Sequence, residues 1–237
     1  MQATSINQRQ LRVLAATIQE YVVTAQPVAS KVLVEKYDFG VSSATLRNDM
    51  AALEEAGLLR QPHTSAGRVP TERGYRLYLE QFVEKRTEIS RPTQMMKRVV
   101  DTAQSPRGLV RDMAQHLMKL SGETAVASLD TGWSHYTGIS QLFNKPEFCD
   151  VEMLHRLSRA VDRFDDVLRD IFPQVNNDVN VWIGGENPFG EQMATVLVKY
   201  ELPNGMVGML GLVGPLRMEY EKNIRLLEQA KSVLSDT

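Results

Sequence analysis

At 237 residues the chain is long enough to bury a sizeable core, and its length favours one or two domains. Apolar residues make up 43% and charged residues 24%, the balance of a globular protein, so disorder is not the expected state. With 27 Lys+Arg against 29 Asp+Glu there is no global sign of nucleic-acid binding, and the single cysteine, Cys149, excludes an internal disulfide. The opening residues lack the apolar core of an export signal, and no run approaches the ~18 to 20 apolar residues that span a bilayer, so a cytoplasmic protein is expected.

Local pattern then has to carry the argument. Asn7 and Gln10 have the spacing of a capping box, and Leu11, Leu14, Ile18 and Val22 recur at helical spacing, predicting a first helix over residues 8–24 that Gln26-Pro27 ends. Residues 29–37 fit a second helix, with Ser30 near its start and Val32, Leu33 and Val34 to bury. Asp38-Phe39-Gly40 makes a tight turn, after which Ser42 or Ser43 caps a third helix through Leu46, Met50 and Leu53, stopped by Gly57. Residues 58–61 read as a short strand, residues 62–67 as a turn-rich tip, and Arg68-Val69-Pro70 as the return. A hairpin directly after the third helix is a wing, so the order is that of a winged helix-turn-helix. Thr71 caps a fourth helix carrying Tyr75, Tyr78, Leu79 and Phe82, and Ser90-Arg91-Pro92 marks the boundary between a domain over residues 1–90 and a second over residues 91–237.

The second half alternates differently. Helical spacing over residues 95–120 breaks near Ser105-Pro106, residues 124–129 suit a buried strand, and residues 151–171 read as one amphipathic helix. Three more strands fit residues 179–183, 193–200 and 206–213, the last two joined through the hairpin signal Pro203-Asn204-Gly205, and a final helix fits residues 218–234. The fold class expected is α+β.

The third helix offers Ser42, Ser43, Thr45, Arg47 and Asn48 near its start, short polar and basic groups of the kind that read base edges in the major groove. Alternatively the serines are only caps and Arg47 is a solvated surface residue. In the wing, His63, Thr64, Ser65, Gly67 and Arg68 combine small residues, which allow close backbone approach, with groups that meet phosphate or the minor groove. They lie in a local basic stretch with Arg60, Arg73 and Arg76, opposed within residues 56–79 only by Glu72. Lys31 is a further phosphate contact, on weaker grounds.

Elsewhere the chemistry is bland. The glycines of Gly184-Gly185-Glu186-Asn187-Pro188 lack the spacing and the lysine of a phosphate loop and read as a turn between strands. His63, His116, His135 and His155 are scattered, so no metal or other cofactor is expected. Cys149 reads as a buried structural thiol, and Glu147, Asp150 and Glu152 as acidic residues at a helix start. No catalytic constellation emerges.

The run Val41-Ser42-Ser43-Ala44-Thr45-Leu46-Arg47-Asn48-Asp49-Met50, then Leu53-Glu54-Glu55-Ala56-Gly57-Leu58-Leu59 and Gln61-Pro62-His63-Thr64-Ser65-Ala66-Gly67-Arg68-Val69-Pro70-Thr71, closely resembles the N-terminal domain of the heat-inducible transcription repressor family HrcA. The resemblance continues in Leu142-Phe143-Asn144-Lys145-Pro146-Glu147-Phe148, in residues 183–188 and in residues 210–220. It implies a repressor of chaperone operons that binds inverted-repeat operator DNA as a homodimer and lets go on heat stress, with a GAF-like C-terminal α/β sheet domain and assistance from the GroEL chaperonin. One departure stands out. The family inserts a dimerisation segment into the GAF-like domain, whereas here Leu129 reaches Trp133 through only Asp130-Thr131-Gly132.

The alternative expectation is a ligand-sensing winged-helix regulator whose GAF-like domain binds a small molecule. An enzyme, or an adaptor that uses its winged helix without DNA, ranks behind both.

Overall fold

The computed structural model describes residues 6–83, 94–130 and 132–236. The chain divides into two units, Met1–Glu84 and Lys85–Thr237. The expected boundary at Ser90-Arg91-Pro92 lies outside the described residues.

In the first unit, α1 (Gln8–Thr24) opens with the capping box of Asn7 and Gln10 and closes at Ala25. It is followed by α2 (Ser30–Lys36), α3 (Ser43–Glu55), the antiparallel strands β1 (Leu59–Arg60) and β2 (Val69–Pro70), and α4 (Glu72–Phe82). Gly57 takes a φ of +72° between α3 and β1, a conformation that a side chain disfavours. Leu14 and Ile18 of α1, Leu33 of α2, Leu46 and Leu53 of α3, and Tyr75 of α4 form the buried core. Val34, expected inside, is exposed, because the seven-residue helix turns Ser30 and Leu33 inward and leaves Val34 outside.

The second unit is a five-stranded antiparallel sheet of order β4-β3-β7-β6-β5. Its strands are β3 (Thr124–Leu129), β4 (Trp133–Thr137), β5 (Asn180–Ile183), β6 (Met193–Glu201) and β7 (Val207–Pro215). The helices are α5 (Gln94–Thr102), α6 (Pro106–Ser121), α7 (Ile139–Phe143), α8 (Val151–Val161), α9 (Phe164–Ile171) and α10 (Tyr220–Ser235). One sheet face packs against α6 and α10, which also hold α5. The other carries an aromatic-rich core in which Phe164 meets Phe189 and Tyr136 edge-on, with Leu142, Phe148 and Leu157 beside them. Residues 151–171 are two helices rather than the expected one: Asp162 and Arg163 separate α8 from α9 without a Gly or Pro to announce it.

The turn expected at residues 184–188 has a structural task. Asn187, buried, donates to the Trp182 carbonyl at 3.1 Å and to Thr195 Oγ1 at 3.0 Å, tying β5 to β6, and accepts from the Phe189 N–H at 2.9 Å. Cys149 is exposed, contrary to expectation, because it follows the 3-10 turn Pro146–Phe148, whose inward position goes to Phe148. Asp150 does cap α8, accepting from Met153 N–H at 3.0 Å. Glu147 lies in the first turn of the 3-10 helix Pro146–Phe148 and also pairs with Arg217, while Lys145 pairs with Glu123 at 2.9 Å. The stretches 142–148 and 210–220 thus meet through a cluster of four charges.

Candidate nucleic-acid interface

Helix α3 divides cleanly between two faces. Leu46, Asp49, Met50 and Leu53 are buried, while Ser43, Ala44, Arg47 and Asn48 are exposed on the opposite side. Asp49 is kept inside by Arg9 of α1, which grips both carboxylate oxygens at 2.7 and 3.2 Å and is itself held further toward its charged form by that hydrogen bond. Glu20, also buried, accepts from Lys36 Nζ at 2.5 Å and Tyr37 Oη at 3.1 Å; burial and then that hydrogen bond push the Tyr37 hydroxyl up to about 12. Both neighbours of the outward face, α1 and α2, are therefore locked by charge-assisted contacts.

The expected contact residues fall into four groups. Ser43, Arg47 and Asn48 point outward on α3, and Lys31 is exposed on α2. Ser42 is spent as the cap: its Oγ accepts from the Thr45 N–H at 3.2 Å and sits 3.1 Å from the half-buried Thr45 hydroxyl. His63, Thr64 and Ser65 are exposed at the wing tip, with Ser65 at a φ of +72°. Gly67 and Arg68 are different. A side chain on Gly67 would lie 2.4 Å from the Val28 backbone, and Arg68 exchanges both backbone hydrogen bonds with Val28 at 2.8 Å, so the small residue serves a strand contact inside the protein. The Arg68 side chain pairs with Glu54 at 2.8 Å. We expect Gly67→Ala to lower stability by ~1–3 kcal/mol through this overlap, read as the midpoint of urea unfolding; an unchanged midpoint would mean the bridge opens freely.

The basic stretch is largely consumed internally. Arg76 pairs with Glu72 at 2.7 Å and Arg73 donates to the Ala56 carbonyl at 3.0 Å. Lys31 and Arg47 make no ion pair with the described residues, and both line a groove of about 400 Å³ that runs between α2, α3 and the wing, with Gln61 and Ser65 on its walls. Ala44 was missed by sequence reasoning, which sought charge and polarity. Its position one turn before Arg47 and Asn48 is the signal that finds it, and an exposed methyl is the group that meets a thymine methyl.

An outward polar helix face flanked by a groove and a wing is the surface of a DNA-reading winged helix. Residues 15–71 match the DeoR-like helix-turn-helix domain, and residues 73–224 match the family described as HrcA protein C terminal domain. The chain belongs to the HrcA family. Similar proteins include the heat-inducible transcription repressor HrcA of Synechococcus elongatus, 47% identical over 134 residues, which cover 56% of this chain and 38% of that protein. The protein of the same name from Carboxydothermus hydrogenoformans is 27% identical over 334 positions covering 98% of each. An alignment of that length must open gaps in a 237-residue chain. In this HrcA-family chain the β3–β4 hairpin closes directly, with Leu129 opposite Trp133. A crystal structure of a hypothetical protein superposes with a TM-score of 0.76 at 20% identity, over 97% of this chain and 96% of that one, which shows the fold.

Proposed function

We propose that the chain is a cytoplasmic repressor of chaperone operons that binds an inverted-repeat operator as a homodimer and releases it on heat stress. The observation that carries this reading is the outward face of α3, where Ser43, Ala44, Arg47 and Asn48 stand clear of the core beside the groove of Lys31 and the wing tip. Two copies would pair through the sheet unit and set two such helices into successive major grooves, ~34 Å apart. This reading assigns the pairing surface to the sheet unit itself, without an inserted segment, and the direct β3–β4 hairpin is consistent with that. Phosphate contacts supply most of the affinity and the α3 face supplies the discrimination. Heat release follows from marginal stability: a fold only ~5–15 kcal/mol from unfolding loses active population on warming, and a chaperonin that restores it links repression to chaperone supply.

Footprinting on promoters of the chain's own genome tests the reading. Protected inverted repeats ahead of chaperone genes are the expected result, and chaperonin added after heating should raise the fraction that binds. The absence of salt-sensitive binding to any palindromic promoter fragment would overturn it.

A ligand-sensing regulator has one observation in its favour, a cavity of about 260 Å³ between α8 and residues 189–193, lined by Leu157, Phe189 and Met193 with Arg156 and Glu191 among its polar groups. Thermal shift against a metabolite panel separates it from the main reading.

A further inference from the structure

Glu54 stands out on the interface because it has the wrong charge for it. A carboxylate on a recognition helix repels the phosphate backbone that the neighbouring cations attract. Glu54 is half-buried near the C-terminal end of α3, and its two oxygens are used separately. Oε1 accepts the Gln61 backbone N–H at 2.9 Å, where β1 leaves for the tip. Oε2 lies 2.8 Å from Arg68 Nε, where the chain returns from the tip.

The network continues on both sides. Gln61 Nε2 donates to the Ala66 carbonyl at 2.9 Å, bridging the base of the tip from within. Arg68 exchanges backbone hydrogen bonds with Val28, and Gly67 leaves that approach open. One carboxylate on the recognition helix therefore fastens both stems of the wing, and the Arg68 end is fastened again to the segment before α2. The Arg68 side chain is 18% exposed and that of Glu54 34%, so the pair is screened by water and salt less than an open surface pair.

We infer that Glu54 is a positioning residue for DNA binding: it sets the wing at a fixed place beside the recognition helix and withholds Arg68 from the phosphates. The inference rests on the DNA-binding reading above. Its consequence is that the wing tip arrives at the duplex already ordered, with His63, Thr64 and Ser65 as its contact groups, while Arg68 acts as part of the scaffold.

The test compares the parent chain with Glu54→Gln and Arg68→Ala, measuring affinity for the operator and for random duplex between ~50 and ~200 mM salt, the span over which phosphate contacts are resolved. Glu54→Gln keeps an oxygen for the Gln61 N–H and removes the ion pair. It is expected to steepen the salt slope by about one unit per bound chain, as Arg68 turns to phosphate, and to lower the preference for operator over random duplex by about tenfold. Arg68→Ala is expected to leave the salt slope of the parent chain unchanged, an outcome that decides the matter alone should Glu54→Gln fail to fold. An unmoved slope and preference in Glu54→Gln, or a slope about one unit shallower in Arg68→Ala, would overturn the role given to Glu54. A parent chain without salt-dependent binding would instead overturn the DNA-binding reading itself.

Discussion

Lys145→Met is expected to lower the stability of the sheet unit by ~3–5 kcal/mol, the range for breaking a buried ion pair by removing one partner. The side chains of Lys145 and Glu123 are only 19% and 6% exposed, and the substitution leaves the Glu123 carboxylate buried with its nearest cation gone. Arg217 also draws the Glu123 proton off, but its guanidinium is engaged with Glu147. The loss should depend on pH with a definite sign. Burial holds the Glu123 carboxyl above its ordinary 4.5, and Lys145 opposes that rise. A carboxyl raised in the folded state binds its proton more tightly there than in the unfolded chain. Its contribution is therefore fully present below the ordinary value and is lost as pH climbs through the folded value. Without Lys145 the folded value moves higher still, so the gap between parent and variant should be wider in neutral than in mildly acidic solution. Thermal unfolding would read it as a drop of about 6–20 °C at neutral pH, partly recovered by adding Glu123→Gln. A drop of equal size at both pH values would assign the effect to packing instead.

How much of this was legible beforehand depended on the range of the interaction. Local signals read well: Asn7 with Gln10, Ser42 and Thr71 each cap the helix they announce, the break at Ser105-Pro106 separates α5 from α6, and Pro203-Asn204-Gly205 joins β6 to β7. Strand β4 was not legible. Trp133, His135 and Thr137 lie on one face and Ser134 and Tyr136 on the other, all half-buried, so neither face is consistently apolar and the alternation that marks a strand is lost. The break after α8 hides for a related reason. Leu157, Phe164, Val167, Leu168 and Ile171 all turn toward one core, so the apolar periodicity runs on across Asp162 and Arg163 while the backbone does not. At the interface the outward face of α3 follows from spacing alone. Arg68 and Gly67 look like contact residues until Glu54 and Val28 are placed beside them, which is tertiary information that no local window holds.

Arg47→Ala is expected to leave the fold intact and to remove most operator discrimination. Arg47 is exposed, makes no ion pair with the described residues, and lies among the exposed residues of α3, so its loss strands no partner and opens no cavity. Stability should stay within ~0.5 kcal/mol of the parent chain. Binding should not. A bidentate arginine contact to a guanine edge is worth ~1–3 kcal/mol, and a dimer on an inverted repeat loses two of them, which amounts to about thirtyfold or more in operator affinity. The comparison with random duplex distinguishes the two uses of the side chain. Base reading predicts that operator affinity collapses toward the random value with little change in salt slope. Phosphate contact predicts an even loss on all sequences with a slope about one unit shallower per chain. Operator binding that survives Arg47→Ala unchanged would instead favour a winged helix that docks protein rather than DNA, because the charge best placed to read a base would then be idle.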